Sequence, residues 1–302
     1  MVIDQLVKAI RQKQNPCIVG IDPEWSKLPE CYRIQGKSKP EAIEQWAKDV
    51  IDAVWDIVPA VKPQMAFFEV LGWEGLRVHQ QVVRYAHEKG LLVIDDSKRN
   101  DIGNTAKAYA YAHLAEDGPM NADFMTVSPF LGTDSLQPFL DTAAAEGKGV
   151  FVLVKTSNPS SVEISEAVNP HGETIRNWLA SYVHAQGQRV VGTSGYSAIG
   201  AVVGATYPKE AQQLRQLMPR QFFLVPGFGA QGGGAENVIP FFNPDGLGAV
   251  ISSSRSILYH HLAVDGFEPT REAYRAIVRQ QAQDMQQAVY RALKGAYPEM
   301  VY

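Results

Sequence analysis

Leu91-Leu92-Val93-Ile94 runs straight into Asp95-Asp96-Ser97-Lys98-Arg99-Asn100-Asp101-Ile102. The four apolar residues, two of them β-branched, read as a strand buried on both faces, as in a parallel sheet. The polar octapeptide after Ile94 places Asp96, Lys98 and Asp101 at the mouth of whatever that strand supports. Charges this dense are costly to desolvate unless they pair with one another. Such pairing at a strand end is also how a lysine is positioned and tuned for proton transfer.

Outward from this segment, short apolar runs alternate with amphipathic stretches. Strands are expected at Cys17–Ile21, Ala60–Lys62, Leu91–Ile94, Phe124–Val127, Val150–Val154, Ala198–Val203, Phe222–Val225 and Ala249–Ser252. Between them lie helical spacings. After Pro40, at a first-turn position, Ile43, Trp46, Ala47, Val50, Ile51, Val54 and Trp55 recur at helical intervals. Thr133 or Asp134 is placed to cap a helix carrying Leu136, Phe139, Leu140 and Ala143, which stops at Gly147 and Gly149. A last helix carries Tyr274, Ile277, Val278, Met285, Val289 and Leu293. These aromatic and methionine stripes read as core packing, not as a cofactor site. Eight strands alternating with helices predict an α/β fold, a single (β/α)8 TIM barrel over residues 1–302, with a doubly wound open sheet as the competing arrangement. The Ser-, Asn- and Pro-rich stretch from Thr156 to Gly172 reads as a long βα loop at the active-site face.

Composition narrows the setting. The 302 residues are 45% hydrophobic and 20% charged, as in an ordinary soluble protein. A net charge of −4 argues against a nucleic-acid binder working through a basic surface, without excluding a small anionic ligand. Cys17 and Cys31 have no metal-ligand spacing and form no disulfide framework, which fits a reducing cytoplasm. Met1 to Pro16 mixes charges into its apolar residues and does not read as a signal peptide, and no apolar run reaches membrane-spanning length. A cytoplasmic protein is expected.

In a barrel the C-terminal strand ends converge on one pocket. Here they deliver Asp22-Pro23, Lys62-Pro63, the Asp96 cluster, Thr156-Ser157-Asn158, the glycine-rich Pro226-Gly227-Phe228-Gly229-Ala230-Gln231-Gly232-Gly233-Gly234 and Ser252-Ser253-Ser254-Arg255-Ser256. Glycines let backbone N–H groups approach an anion, and an arginine on the next strand grips phosphate oxygens. That pairing points to phosphate, although a glycine run alone also fits a turn. Asp22 before Pro23, Lys62 and Ser157-Asn158-Pro159 each have ordinary turn or strand-end readings as well. The seven histidines show no metal spacing, and His260-His261 read as surface or packing residues.

The pattern Asp96-x-Lys98-x-x-Asp101-Ile102-Gly103-x-Thr105, with Lys62-Pro63, Pro226-Gly-Phe-Gly-Ala-Gln231-Gly-Gly and Ser253-Ser254-Arg255-Ser256, resembles the orotidine 5′-phosphate decarboxylase family, in particular its longer bacterial subgroup. The resemblance runs from Val19-Gly20-Ile21-Asp22-Pro23 to Arg255. It implies a phosphate-binding (β/α)8 barrel, a homodimer with shared active sites, and decarboxylation of orotidine 5′-phosphate to UMP in pyrimidine biosynthesis without metal or cofactor. By the same resemblance Lys98 protonates C6, Asp96 lies beside the leaving carboxylate, Asp101 comes from the partner subunit, and Lys62 completes a Lys–Asp–Lys–Asp array. Asp22 and Lys62 look like ribose partners, with Ile102 and Thr105 of the other subunit. Ser157 and Asn158 would read the pyrimidine, Gln231 would bridge to the phosphate, and Gly232, Gly233 and Arg255 would bind it. No metal ligand, nucleic acid or membrane is implied. The alternative is a Mg²⁺-dependent sugar-phosphate lyase of the same superfamily. Its relatives need a metal-binding carboxylate at the end of strand two, where this chain has Lys62. A barrel that merely senses a nucleotide is the non-enzyme reading, but it has no evident need for alternating buried charges.

Overall fold

The strands close on themselves. In the computed structural model, which describes residues 1–34, 36–229 and 234–302, β1 (Cys17–Ile21), β2 (Ala60–Pro63), β3 (Leu92–Arg99), β4 (Phe124–Val127), β5 (Gly149–Lys155), β6 (Ser197–Val203), β7 (Gln221–Pro226) and β8 (Ala249–Ser253) form a closed barrel in sequence order. Every pairing is parallel, including β8 with β1, so neither edge is left open. Strands β1, β2, β4, β6 and β8 are buried at every position. Interior residues face the barrel and exterior ones face the helices, which is why these runs are apolar without alternation. The competing open sheet is excluded by the β8–β1 ladder.

The helices are α1 (Val2–Lys13), α2 (Lys39–Val54), α3 (Met65–Glu69), α4 (Trp73–Glu88), α5 (Gly103–Leu114), α6 (Thr133–Glu146), α7 (Ser161–Ser165), α8 (Ile175–Gly187), α9 (Pro208–Leu217), α10 (Arg255–Leu258) and α11 (Arg271–Ala296). Helix α2 starts at a capping box: Ser38 Oγ accepts from Glu41 N, and Glu41 accepts from Ser38 N. The expected stripe of α2 is buried except for Trp55, and Trp46 Nε1 donates to Tyr274 Oη of α11 at 2.8 Å. Helix α6 buries Leu136, Phe139, Leu140 and Ala143 and ends at Gly147, whose φ of 66° is the left-handed turn glycine tolerates.

Strands β2 and β5 to β8 extend one residue beyond the expected ends, and three features depart further from expectation. Strand β3 continues through Asp95 to Arg99, so the charged cluster is part of the strand and not a loop after it. Pairing with β4 at Asp95 and again at Arg99 carries the strand across the charged residues, and ladder hydrogen bonds do not depend on side-chain polarity. Neither Thr133 nor Asp134 caps α6. Gly132 is the cap residue, and Ser135 Oγ donates to its carbonyl oxygen. The 156–172 loop is not wholly irregular, since α7 lies within it.

Candidate active site

Asp96, on β3, is the hub of the barrel mouth. Its Oδ2 accepts from Lys62 Nζ at 2.7 Å and Gln64 Nε2 at 3.1 Å, and its Oδ1 from Lys98 Nζ at 2.5 Å and Thr126 Oγ1 at 3.0 Å. Burial works against ionisation of Asp96, but the Lys62 and Lys98 ammonium groups outweigh it and hold its pKa at about 2. Burial likewise opposes the Lys62 charge, yet Asp96 and then Asp22 raise its pKa above the ordinary lysine value. Lys62 and Asp96 are buried, whereas the Lys98 side chain is 44% exposed. Lys62 and Asp96 therefore form an ionised pair at neutral pH, and Lys98 stands at the accessible end of the Lys–Asp–Lys array.

The backbone that presents Lys98 is unusual. Lys98 has φ of 47°, a left-handed conformation uncommon for a residue with a Cβ. Along β3, Asp95 pairs with Met125 and Arg99 with Val127, so β3 holds two more residues than β4 between the same two rungs. This bulge lifts the Asp96–Lys98 segment toward the mouth, and Thr126 Oγ1 accepts the Lys98 N–H at 2.8 Å.

A cavity of about 420 Å³ opens above the array, reaching from Asp22 and Lys62 across to Ser157, Asn158 and Arg255. Asp22 Oδ1 is buried with no hydrogen-bond partner among the described residues. Its loop is held by Tyr259, whose hydroxyl donates to the Asp22 carbonyl and accepts from Glu24 N at 2.8 Å. Gly204 lets the end of β6 meet Ser157, because a Cβ there would stand 2.9 Å from Ser157 Cα. Leu153, Val202 and Leu224 give the cavity an apolar wall, and Arg255 stands exposed at its rim.

Asp101, Ile102 and Thr105 do not reach this cavity. Asp101 Oδ1 accepts from Ile102 N at 2.8 Å, Ile102 is 57% exposed, and Thr105 is exposed on the first turns of α5. Gln231, Gly232 and Gly233 lie outside the described residues. Glu69 sits on α3 and pairs with Arg99, away from the end of β2.

Several contributors escape a reading of the sequence. Thr126 and Gln64 both bind Asp96. The signal for Thr126 was its position as the one polar residue in β4, and for Gln64 its place directly after Lys62-Pro63. Asp95, adjacent to the hub, points to the opposite face of β3, where it is fully buried against His113 and His79. Burial opposes its charge, but the two histidines hold its carboxyl well below the usual range. Lys155, buried at the end of β5, binds Ser165 Oγ at 2.6 Å and Glu166 Oε1 at 2.9 Å, fastening α7 to the barrel. His261 is buried edge-on to Tyr274, the packing role expected of it.

Fold and site together define a (β/α)8 barrel with a lysine–aspartate–lysine array at its strand ends. Residues 15–262 match the family described as orotidine 5′-phosphate decarboxylase / HUMPS, and the chain belongs to that family. A Rhodopirellula baltica protein named orotidine 5′-phosphate decarboxylase is 44% identical over 266 residues, covering 85% of this chain and 88% of its relative. A Clostridium tetani protein of the same name is 40% identical over 258 residues, with the same two coverages of 85% and 88%. The solved structure of Leishmania donovani OMP decarboxylase is 27% identical and superposes with a TM-score of 0.74 over 97% of this chain and 98% of that one.

Proposed function

We propose that this chain decarboxylates orotidine 5′-phosphate to UMP and CO2, the step that yields UMP in pyrimidine nucleotide biosynthesis. The observation that carries the reading is Asp96 held between Lys62 and Lys98 beneath a nucleotide-sized cavity. Loss of CO2 from C6 leaves an electron pair in the plane of the pyrimidine, which the ring π-system cannot delocalise. Stabilisation must therefore come from fixed charge, and a proton must then be delivered to C6. Lys98 serves both needs: its ammonium attracts the developing carbanion and donates its proton to C6. Asp96 fixes Lys98 and lies beside the departing carboxylate.

Asp22, with a buried oxygen that has no partner among the described residues, and Lys62 receive the ribose hydroxyls. Ser157 and Asn158 read the pyrimidine, and Arg255 at the rim takes the phosphate with Gln231, Gly232 and Gly233. The chain's own charge supplies what a metal would, since Lys62 stands where the Mg²⁺-dependent relatives need a carboxylate. Within the proposal the enzyme is a cytoplasmic homodimer of single-barrel subunits, and Asp101, Ile102 and Thr105 complete the partner's site. Their position on α5 and the loop before it, outside their own cavity, with Ile102 and Thr105 exposed and Asp101 half-buried, supports this arrangement.

The test is Lys98→Ala assayed by the absorbance change of orotidine 5′-phosphate in the presence of EDTA. Turnover is expected to fall by many powers of ten while the parent is unaffected by EDTA. Near-normal activity of the variant would end the proton-donor role.

A further inference from the structure

We infer that His113 is a positioning residue for Lys98, stapling both ends of the β3 bulge from outside the barrel. The inference rests on the reading of Lys98 as proton donor. His113 lies in the last turn of α5 and is buried. Its Nδ1 meets Asp95 Oδ2 at 2.5 Å, and its Nε2 accepts from Arg99 Nε at 3.2 Å. Asp95 and Arg99 are the two residues whose pairing with β4 brackets the bulge, and Lys98 lies between them. One imidazole thus grips the strand immediately before and after the segment that carries the reactive lysine.

The hydrogen bonds also specify the ring's state: Nδ1–H donates to the Asp95 carboxylate and Nε2 keeps its lone pair for the guanidinium. A neutral imidazole in one tautomer satisfies both partners. Arg99 continues the chain by pairing with Glu69 of α3. On the inner face Thr126 binds the Lys98 N–H and Asp96 together. A left-handed lysine persists only where its surroundings over-determine it. Here the restraint comes from both faces, Thr126 inside and His113 outside.

His79 supplies the internal comparison. It too is fully buried beside Asp95, but its Nε2 stands 3.5 Å from Oδ1, outside hydrogen-bond geometry among the described residues, and its ring packs edge-on to Phe68. It touches one end of the bulge and not the other. A general loss of packing around Asp95 would result from changing either histidine, whereas loss of the staple results only from changing His113.

The experiment compares His113→Ala, His113→Asn and His79→Asn by kcat with orotidine 5′-phosphate, by Kd for UMP and by thermal melting. Asparagine places its amide N–H near the position of Nδ1, so it restores the bond to Asp95 and not the one to Arg99. His113→Ala is expected to lower kcat by about 10²-fold, the scale of a misplaced reacting group, with His113→Asn between it and the parent. UMP affinity should stay within about threefold in both, and His79→Asn should melt lower yet keep kcat within about threefold. A folded His113 variant with parental kcat would overturn the inference. So would equal losses of kcat and UMP affinity, an equal kcat loss in His79→Asn, or failure of both His113 variants to fold. A parent that does not release CO2 would remove the functional reading itself, and the inference with it. An active parent beside unaffected His113 variants would remove the inference alone.

Discussion

Asp96→Asn isolates the electrostatics of the array, because the amide keeps the shape of the carboxylate and removes only its charge. In the parent, Asp96 binds the ammonium of buried Lys62 at 2.7 Å and that of Lys98 at 2.5 Å. The substitution leaves Lys62 buried with Asp22 and, more weakly, Asp95 as its counter-charges. Removing one member of a buried ion pair costs roughly 3–5 kcal/mol. Asp22 and the exposure of Lys98 set this case at the low end, about 3 kcal/mol, or a fall in Tm of about 5–10 °C. The pH dependence carries the sharper signature. In the parent Lys62 has a raised pKa, so its contribution is complete below the unfolded-state value of about 10.4 and is lost as pH rises through the folded value. In the variant, burial dominates and the folded pKa falls below the unfolded one. The penalty is then full at neutral pH and fades as Lys62 loses its proton on the way to pH 10. Urea unfolding of both proteins from pH 7 to pH 10 measures this directly. A deficit at pH 10 as large as that at pH 7, or one below about 1 kcal/mol throughout, would refute the buried-charge account.

Arg255→Ala is expected to weaken kcat/KM for orotidine 5′-phosphate strongly while barely altering the reaction of orotidine, and equal losses on both would argue against phosphate binding. Thr126→Val removes the acceptor of the Lys98 N–H and a donor to Asp96 in one step. It should cost about 1–3 kcal/mol of stability by urea unfolding and lower kcat more than it raises KM. A variant as stable and active as the parent would show that the bulge holds Lys98 without it.

The legible part of this protein was its repeating order. Eight apolar runs separated by helical spacings predicted the barrel, since strands buried on both faces must be apolar and helices covering them must show one apolar stripe. The charged and glycine-rich residues at the strand ends stood out because nothing in the core requires them. Polarity also misled: β3 was expected to stop at Ile94, where apolar residues stop, although its ladder runs to Arg99. Capping at Thr133 or Asp134 failed for a related reason, because Gly132, with φ of 98°, already makes the turn into α6.

From the sequence alone came the barrel, the strand-end cluster and the pairing of Asp96 with Lys98, because each depends on residue type and local spacing. Tertiary structure alone decided that the neighbours Asp95 and Asp96 serve different faces, that Thr126 and Gln64 complete the hub, and that His113 reaches back to both ends of the bulge. Those choices depend on how β3 registers against β4 and where α5 returns to it. His113 lies eighteen positions beyond Asp95 in the chain, and the return of α5 against β3 brings their side chains to 2.5 Å.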